Sequence, residues 1–286
     1  MFRKIGKGLL VLPGSPSTLL VPTDQGYYVI DPGSKADRVE AIQQAGDVRG
    51  VLLTHMHSDH VLAAENLSSR EGVYAPFLEA CGVESEKLRR AMIFGGSAPE
   101  GLVYHVKAVP VKVDRPFRLP FKVEGIEAIP LPGHTYGQVG FATEDGVLYA
   151  ADSFFGDKLL ENAVIPYYMD YQLALETLRT LRERARSYRK LIPSHGPVVE
   201  GKRAEDLLEM NIRALERVKD LVIKHLDRPR GAESITYKIL KDSGKEPNPS
   251  SIILSTVTVK SVLSYLYQEG KVDVKPSEEG LLWLRA

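Results

Sequence analysis

Six consecutive residues, His55-Met56-His57-Ser58-Asp59-His60, carry three imidazoles and a carboxylate directly behind the apolar run Val51-Leu52-Leu53. A fold that accepts this chain must end a buried segment there and leave four polar side chains crowded at its tip. The chain has seven histidines, and three of them fall in this one stretch. Neutral imidazole nitrogen and ionised carboxylate are the ligands favoured by zinc and its first-row neighbours. The competing reading, a solvated polar loop, does not account for the clustering.

With 286 residues, the chain has room for one large domain plus a small one. The apolar share of 43% and charged share of 26% are those of an ordinary globular protein. Lys+Arg and Asp+Glu both number 37, so no global field draws in nucleic acid or an anionic membrane. The lone Cys81 excludes an intrachain disulfide and a thiolate metal cluster, and is expected to pack rather than react. No continuous apolar stretch reads as a signal peptide, and none reaches the ~20 residues of a membrane span. The expected address is the cytoplasm.

The first half reads as short strands: Gly8–Leu12, Ser17–Pro22, Gly26–Ile30 and Gly50–Leu53, with a helix over Ala36–Ala45 and another over Val61–Ser68. Further strands are expected at Val109–Val113, Phe121–Leu131, Gly137–Thr143 and Val147–Ala151, the last two joined by the hairpin turn Glu144-Asp145-Gly146. A helix over Tyr171–Tyr188 leads to a strand at Leu191-Ile192. Strands followed by helices, twice over, suggest two packed sheets with helices outside. From about residue 203 a long amphipathic helix, Ala204–Leu226, gives way to helices near Ser234–Asp242 and Ser255–Glu269 and a terminal two-stranded hairpin. That order resembles a winged-helix module, so the chain divides into 1–202 and 203–286.

Three more candidate ligands follow apolar strands: His134 in Gly133-His134-Thr135, Asp152 after Val147–Ala151, and His195 before Gly196-Pro197. A rigid sheet positions side chains at its strand ends while leaving them open to substrate. His55-x-His57-x-Asp59-His60, then His134, Asp152 and His195, resembles the metallo-β-lactamase superfamily in its two-metal hydrolase branches. The turn Ile30-Asp31-Pro32-Gly33 fits as well, and the likeness covers roughly residues 5–200. It implies an α+β fold, a four-layer αβ/βα sandwich, here with a small helical, winged-helix-like domain appended.

The resemblance also implies roles. His55, His57 and His134 would hold one metal, and Asp59, His60 and His195 a second, with Asp152 bridging. Two zinc ions ~3.5–4 Å apart, with iron or manganese as alternatives, could share a hydroxide and clamp a developing oxyanion. Asp59 would also orient that hydroxide, which makes it the catalytic candidate. Family β-lactamases commonly depart from a bridging aspartate, many using a cysteine, so antibiotic hydrolysis is not the expected activity. The Ala63-Ala64 pair replaces a Gly pair found in many relatives, which leaves assignment to one branch, such as glyoxalase II, open.

Tyr136 and Tyr168 are candidates for substrate contact, against the reading that they only cover the sandwich edge. Phe94-Gly95-Gly96-Ser97 reads as an ordinary loop, His105 as structural and His225 as solvent-facing. The C-terminal segment 206–286 holds 13 Lys and Arg against 12 Asp and Glu, without the basic excess of a nucleic-acid surface. A docking, substrate-lining or dimerising role is preferred for it. The leading expectation is a dinuclear zinc hydrolase of a small thioester, ester or lactone, with no membrane partner and a homodimer allowed. A phosphodiesterase or ribonuclease with an RNA substrate comes second, and a mononuclear iron persulfide dioxygenase third.

Overall fold

The computed structural model describes residues 1–99, 102 and 110–286. Its first sheet runs in strand order β1 (Arg3–Lys4), β2 (Leu10–Leu12), β3 (Thr18–Thr23), β4 (Gly26–Ile30), β5 (Val48–Leu52), β6 (Val73–Pro76) and β7 (Arg115–Phe117). The early strands pair antiparallel, while β4 to β7 are parallel. The second sheet is ordered β12 (Lys190–Pro193), β11 (Val147–Ala151), β10 (Val139–Thr143), β9 (Ile126–Pro130), β8 (Lys122–Val123).

Side chains alternate across a strand, and here both alternating sets are buried. Leu19, Val21, Tyr28 and Ile30 meet Phe141, Val147, Tyr149 and Ile192 between the sheets. Leu20, Val29 and Val51 face outward, toward the flank of the first sheet. That flank carries α1 (Ala36–Ala45), α2 (Ser58–Val61) and α3 (Phe77–Glu84), while α4 (Glu86–Phe94) packs against α3 and a C-terminal helix. Leu148 and Ala150 face α5 (Asp157–Asn162), α6 (Tyr171–Glu183) and α7 (Gly201–Lys224). The expected four-layer αβ/βα arrangement is therefore present.

The chain continues into α8 (Ala232–Asp242), α9 (Pro249–Gln268) and the hairpin β13 (Val272–Ser277)–β14 (Gly280–Arg285). Ile235, Ile239, Val259, Leu263 and Leu266 belong to the same apolar cluster as Leu148 and Leu178. The C-terminal helices thus share a core with the outer face of the second sheet. No helix among the described residues is long and apolar enough to cross a membrane.

Several expectations need correction. Val109 lies outside the described residues, and Pro110–Val113 form no strand. Val111 is nonetheless buried with the first sheet's flank, so its apolar character reports packing without a ladder. The helix expected over Val61–Ser68 is only a 3₁₀ turn, Leu62–Asn66, and the helix expected to reach Tyr188 ends at Glu183. Cys81 is exposed, because α3 turns Ala80 and Val83 inward. His225 is buried instead of facing solvent, with Nε2 3.5 Å from Asp242 Oδ2 at the end of α8. His105 lies outside the described residues.

At the end of the sandwich remote from the histidine cluster, Glu71 accepts hydrogen bonds from the Tyr28 and Tyr74 hydroxyls and from Arg49 Nε. Arg49 also pairs with Glu124 of the second sheet at 3.0 Å. Partial burial would raise the Glu71 pKa, but the three donors outweigh it and bring it down to about 2. A depressed carboxyl stabilises the fold above its unfolded pKa of ~4.3 and loses that effect as pH falls toward 2. Glu71→Gln should therefore cost about 1 kcal/mol at pH 7, after solvent screening is allowed for. Urea unfolding of both proteins from pH 7 down to pH ~2 should show the difference shrinking below pH ~4.

Candidate metal centre

Every candidate ligand leaves a sheet at the carboxyl end of a strand. β5 runs into the cluster His55–His60, β9 into Gly133-His134, β11 into Asp152 and β12 into His195. Because β4 and β5 are parallel, as are β11 and β12, these ends gather at one edge of the sandwich. Backbone bonds lock the edges together, from Val139 N to Thr54 O at 3.1 Å and from Ser17 N to Ser194 O at 2.7 Å. Gly133, with φ 129°, passes so close to α6 that a Cβ there would lie 2.4 Å from Ala174 Cα. Only glycine brings the His134 loop that near. Asp31 and Ala151 hold left-handed backbone, φ 46° and 51°, beside the ligands, where strain of this kind tends to collect.

The side chains converge in two groups. Ligand atoms of His55, His57 and His134 lie within 4.8 Å of one another, as do those of Asp59, His60 and His195. Asp152 sits between the groups, 3.3 Å from His134 Nε2, 3.4 Å from His60 Nε2 and 3.3 Å from His195 Nε2. Asp59 Oδ2 is 3.2 Å from His195 Nε2 and 3.7 Å from His60 Nε2. His57 Nδ1 and His134 Nε2 face each other at 2.8 Å. Among the described residues, His55 Nε2, His60 Nε2 and Asp152 Oδ1 are buried without a hydrogen-bond partner. Buried polar atoms without partners are costly, and bound cations would satisfy all three.

The far nitrogens of His55, His60, His134 and His195 are occupied, which fixes which nitrogen of each faces inward. His55 Nδ1 meets Thr54 Oγ1 at 3.0 Å, His60 Nδ1 meets Asp31 Oδ2 at 2.8 Å, and His134 Nδ1 donates to the Tyr167 carbonyl at 3.0 Å. His195 Nδ1 lies 2.6 Å from Ser15 Oγ. Burial, reinforced by neighbouring imidazoles, holds His55 well below its ordinary pKa and brings His57 down to about 3. Burial also lowers His134. Burial pushes His60 and His195 the same way, but the Asp152 and Asp59 carboxylates overcome it, raising His60 well above its usual value and His195 to about 9. Asp152 and Asp59 are in turn held well below the usual carboxylate range, burial being outweighed by those imidazoles.

Two further carboxylates support the site: Asp31, marked in the sequence only as part of the turn Ile30-Asp31-Pro32-Gly33, and Glu79, which carries no sequence signal. Asp31 accepts from the Thr54 amide at 2.9 Å and the Thr54 hydroxyl at 2.6 Å. Glu79, buried on α3, accepts from Met56 N at 3.0 Å, Thr135 Oγ1 at 2.8 Å and Gly137 N at 2.7 Å. One carboxylate thereby braces the His55/His57 loop against the His134 loop.

A cavity of about 590 Å³ opens over His57, Asp59, His134, Asp152 and His195. The tyrosine on its wall is Tyr167, whose ring lies 5.3 Å from both His57 and His134. Tyr168 does not line the cavity: 1% exposed, it packs behind His134 and Phe155, with ring centres 6.1 and 5.7 Å apart, and its hydroxyl donates to Ser153 O at 3.3 Å. Tyr136 is half-exposed beside a separate groove with Phe77 and Leu119. Tyr168→Phe and Tyr136→Phe should each leave kcat and KM within about twofold of the parent, each losing at most one weak hydrogen bond. A tenfold change in either constant would return that tyrosine to the site.

The family profile of the metallo-beta-lactamase superfamily matches residues 11–195. The chain belongs to that superfamily. It is 31% identical over 131 residues to a hydroxyacylglutathione hydrolase from Shewanella pealeana, covering 46% of this chain and 42% of that protein. The chain thus spans less than half the length of that relative. A beta-lactamase-like protein 2 homolog from Drosophila melanogaster is 24% identical and aligns over 92% of this chain and 86% of its own. Among solved structures, a metallo-beta-lactamase family protein from Thermus thermophilus superposes with a TM-score of 0.71 at 19% identity, covering 97% of this chain and 98% of that one. A likeness at that identity establishes the fold, C-terminal helices included.

Proposed function

We propose that this protein is a dinuclear zinc hydrolase of a small thioester, ester or lactone. The observation that carries the reading is the pair of ligand groups sharing Asp152, with His55 Nε2, His60 Nε2 and Asp152 Oδ1 left without hydrogen-bond partners beside an open cavity. In this reading His55, His57 and His134 hold one cation, Asp59, His60 and His195 the other, and Asp152 both. When bound, such a pair supplies a hydroxide nucleophile at neutral pH and Lewis acidity for the developing negative charge.

The remaining work falls to the chain. Thr54, Asp31, Ser15 and the Tyr167 carbonyl hold the rings in their ligating orientation. Asp59, on the cavity wall with an ionised oxygen, accepts a hydrogen bond from the attacking water and aims it at the substrate carbonyl. Relatives named hydroxyacylglutathione hydrolase support an acyl substrate. In the same proposal, residues 1–202 carry the metal centre and 203–286 supply a substrate-facing wall.

Metal analysis of the purified protein, followed by assays on thioesters, esters, lactones, phosphodiesters and short single-stranded RNA, tests this. About two zinc per chain and acyl turnover are expected. A single iron per chain would point to oxidation instead. RNA cleavage lost in His57→Ala, with acyl substrates inert, would replace the acyl reading with phosphodiester hydrolysis.

A further inference from the structure

The cavity over the metal centre is built from parts distant in sequence. α4 brings Arg89 and Ile93, the segment after β11 brings Phe155 and Leu159, the stretch before α6 brings Ile165 and Tyr167, and α9 brings Ser251, Leu254 and Ser255. The joints between these parts are specific. Thr258 of α9, fully buried, is bracketed by Pro166 O and Tyr168 O at 3.1 Å each and accepts from Tyr168 N at 2.8 Å. Ser261 of α9 accepts from Tyr171 N. The helix that lines one side of the cavity is thus fastened to the irregular segment that orients His134.

Away from the ligands, the lining is mainly hydrocarbon. Ile93, Phe155, Leu159, Ile165, Leu254 and Tyr167 line the cavity together, and the Phe155 ring lies 5.9 Å from the His134 imidazole. Arg89 is the one cation among the described lining residues. It is 2% exposed, and its Nη1 donates to the carbonyls of Gly82 and Val83, the latter at 2.8 Å. A guanidinium fastened to backbone carbonyls is poorly placed to take a phosphate or a carboxylated thiol. Among the described lining residues a polyanionic leaving group finds little to hold it, whereas an alkyl chain finds apolar side chains on several sides.

Resting on the hydrolase reading above, we propose that the site selects straight-chain acyl substrates, with the chain held between α4, α5 and α9. Hydrolysis of such a thioester adds hydroxide to the acyl carbon and a proton to the departing sulfur, giving a fatty acid and a thiol. The chain is not altered and serves only as the recognition element.

The test uses metal-loaded protein and two readouts. First, kcat/KM is measured on thioesters of one small thiol whose acyl group grows from acetyl to lauroyl. Second, calorimetric binding is measured for the matching free carboxylates, acetate to laurate, whose head group is constant. Both should rise by about two- to fourfold per methylene until the cavity is filled. Leu254→Trp should move that limit to shorter chains and Leu254→Ala to longer ones. Growing carboxylate affinity without turnover of the thioesters or of the matching esters and lactones would keep the chain site and reject the hydrolase reading. Turnover with carboxylate affinity and kcat/KM both flat across the series, in the parent and both variants, would overturn the chain site and leave the hydrolase reading standing.

Discussion

Asp59→Asn should lower kcat by about 10²–10⁴-fold while leaving the fold intact. The side chain is 46% exposed at the cavity, and its Oδ2 lies 3.2 Å from His195 Nε2 and 3.7 Å from His60 Nε2. Asparagine has the same shape and keeps one weaker acceptor, but it replaces the other carboxylate oxygen with a donor and removes the charge, so ligation and aim of the nucleophile are both weakened. Little stability is at stake, because the carboxylate faces solvent on one side and its contacts are to other site residues. Metal analysis should show the second cation depleted and the first retained, and the melting temperature of the metal-free variant should move by no more than about 2 °C. Near-native turnover would remove Asp59 from the mechanism.

Asp31→Ala should be damaging in a different way, through stability as much as through the site. Asp31 is fully buried, and its two oxygens receive the Thr54 amide, the Thr54 hydroxyl and His60 Nδ1. Alanine leaves those donors buried and unmatched at roughly 1–3 kcal/mol each, only partly recovered by relaxation. Alanine also keeps a Cβ at φ 46° while removing the side chain that made that conformation worthwhile. A fall of about 3 kcal/mol in unfolding free energy and a 10–100-fold loss of affinity at the His60 site are expected. Asp31→Asn, which retains one acceptor and tolerates left-handed backbone, should fall between the two. Urea unfolding and metal competition on all three proteins provide the check. Equal metal affinity in all of them would show that His60 needs no support from Asp31.

How much of this can be read from residues alone depends on whether chemistry and periodicity coincide. Each proposed ligand is a type metals prefer, and each follows an apolar strand, so His134, Asp152 and His195 can be picked out beside the cluster. The bracing by Glu79 is invisible there. Its neighbours Phe77, Leu78 and Ala80 mark only a helix, and its three donors come from loops that folding alone brings near. Tyr167 and Tyr168 differ only in which way an irregular segment turns them, and no period governs such a segment. The start of α9 differs from expectation for another reason. Asn248-Pro249-Ser250-Ser251 reads as a connection, yet Asn248 and Ser251 form a reciprocal cap with proline in the first turn. That signal is present in the residues and is outweighed by their composition.

The fastening of α9 into the cavity also sets an order of events during synthesis. A ribosome releases His55 through His195 well before Ser251, Leu254 and Ser255 emerge, and chains fold from the amino end as they appear. A nascent chain therefore carries the full set of proposed ligands before α9 has emerged to fasten the segment that orients His134 and to complete one side of the chamber. The side chains that would face a substrate from α9 thus join the molecule after those that would hold the metals.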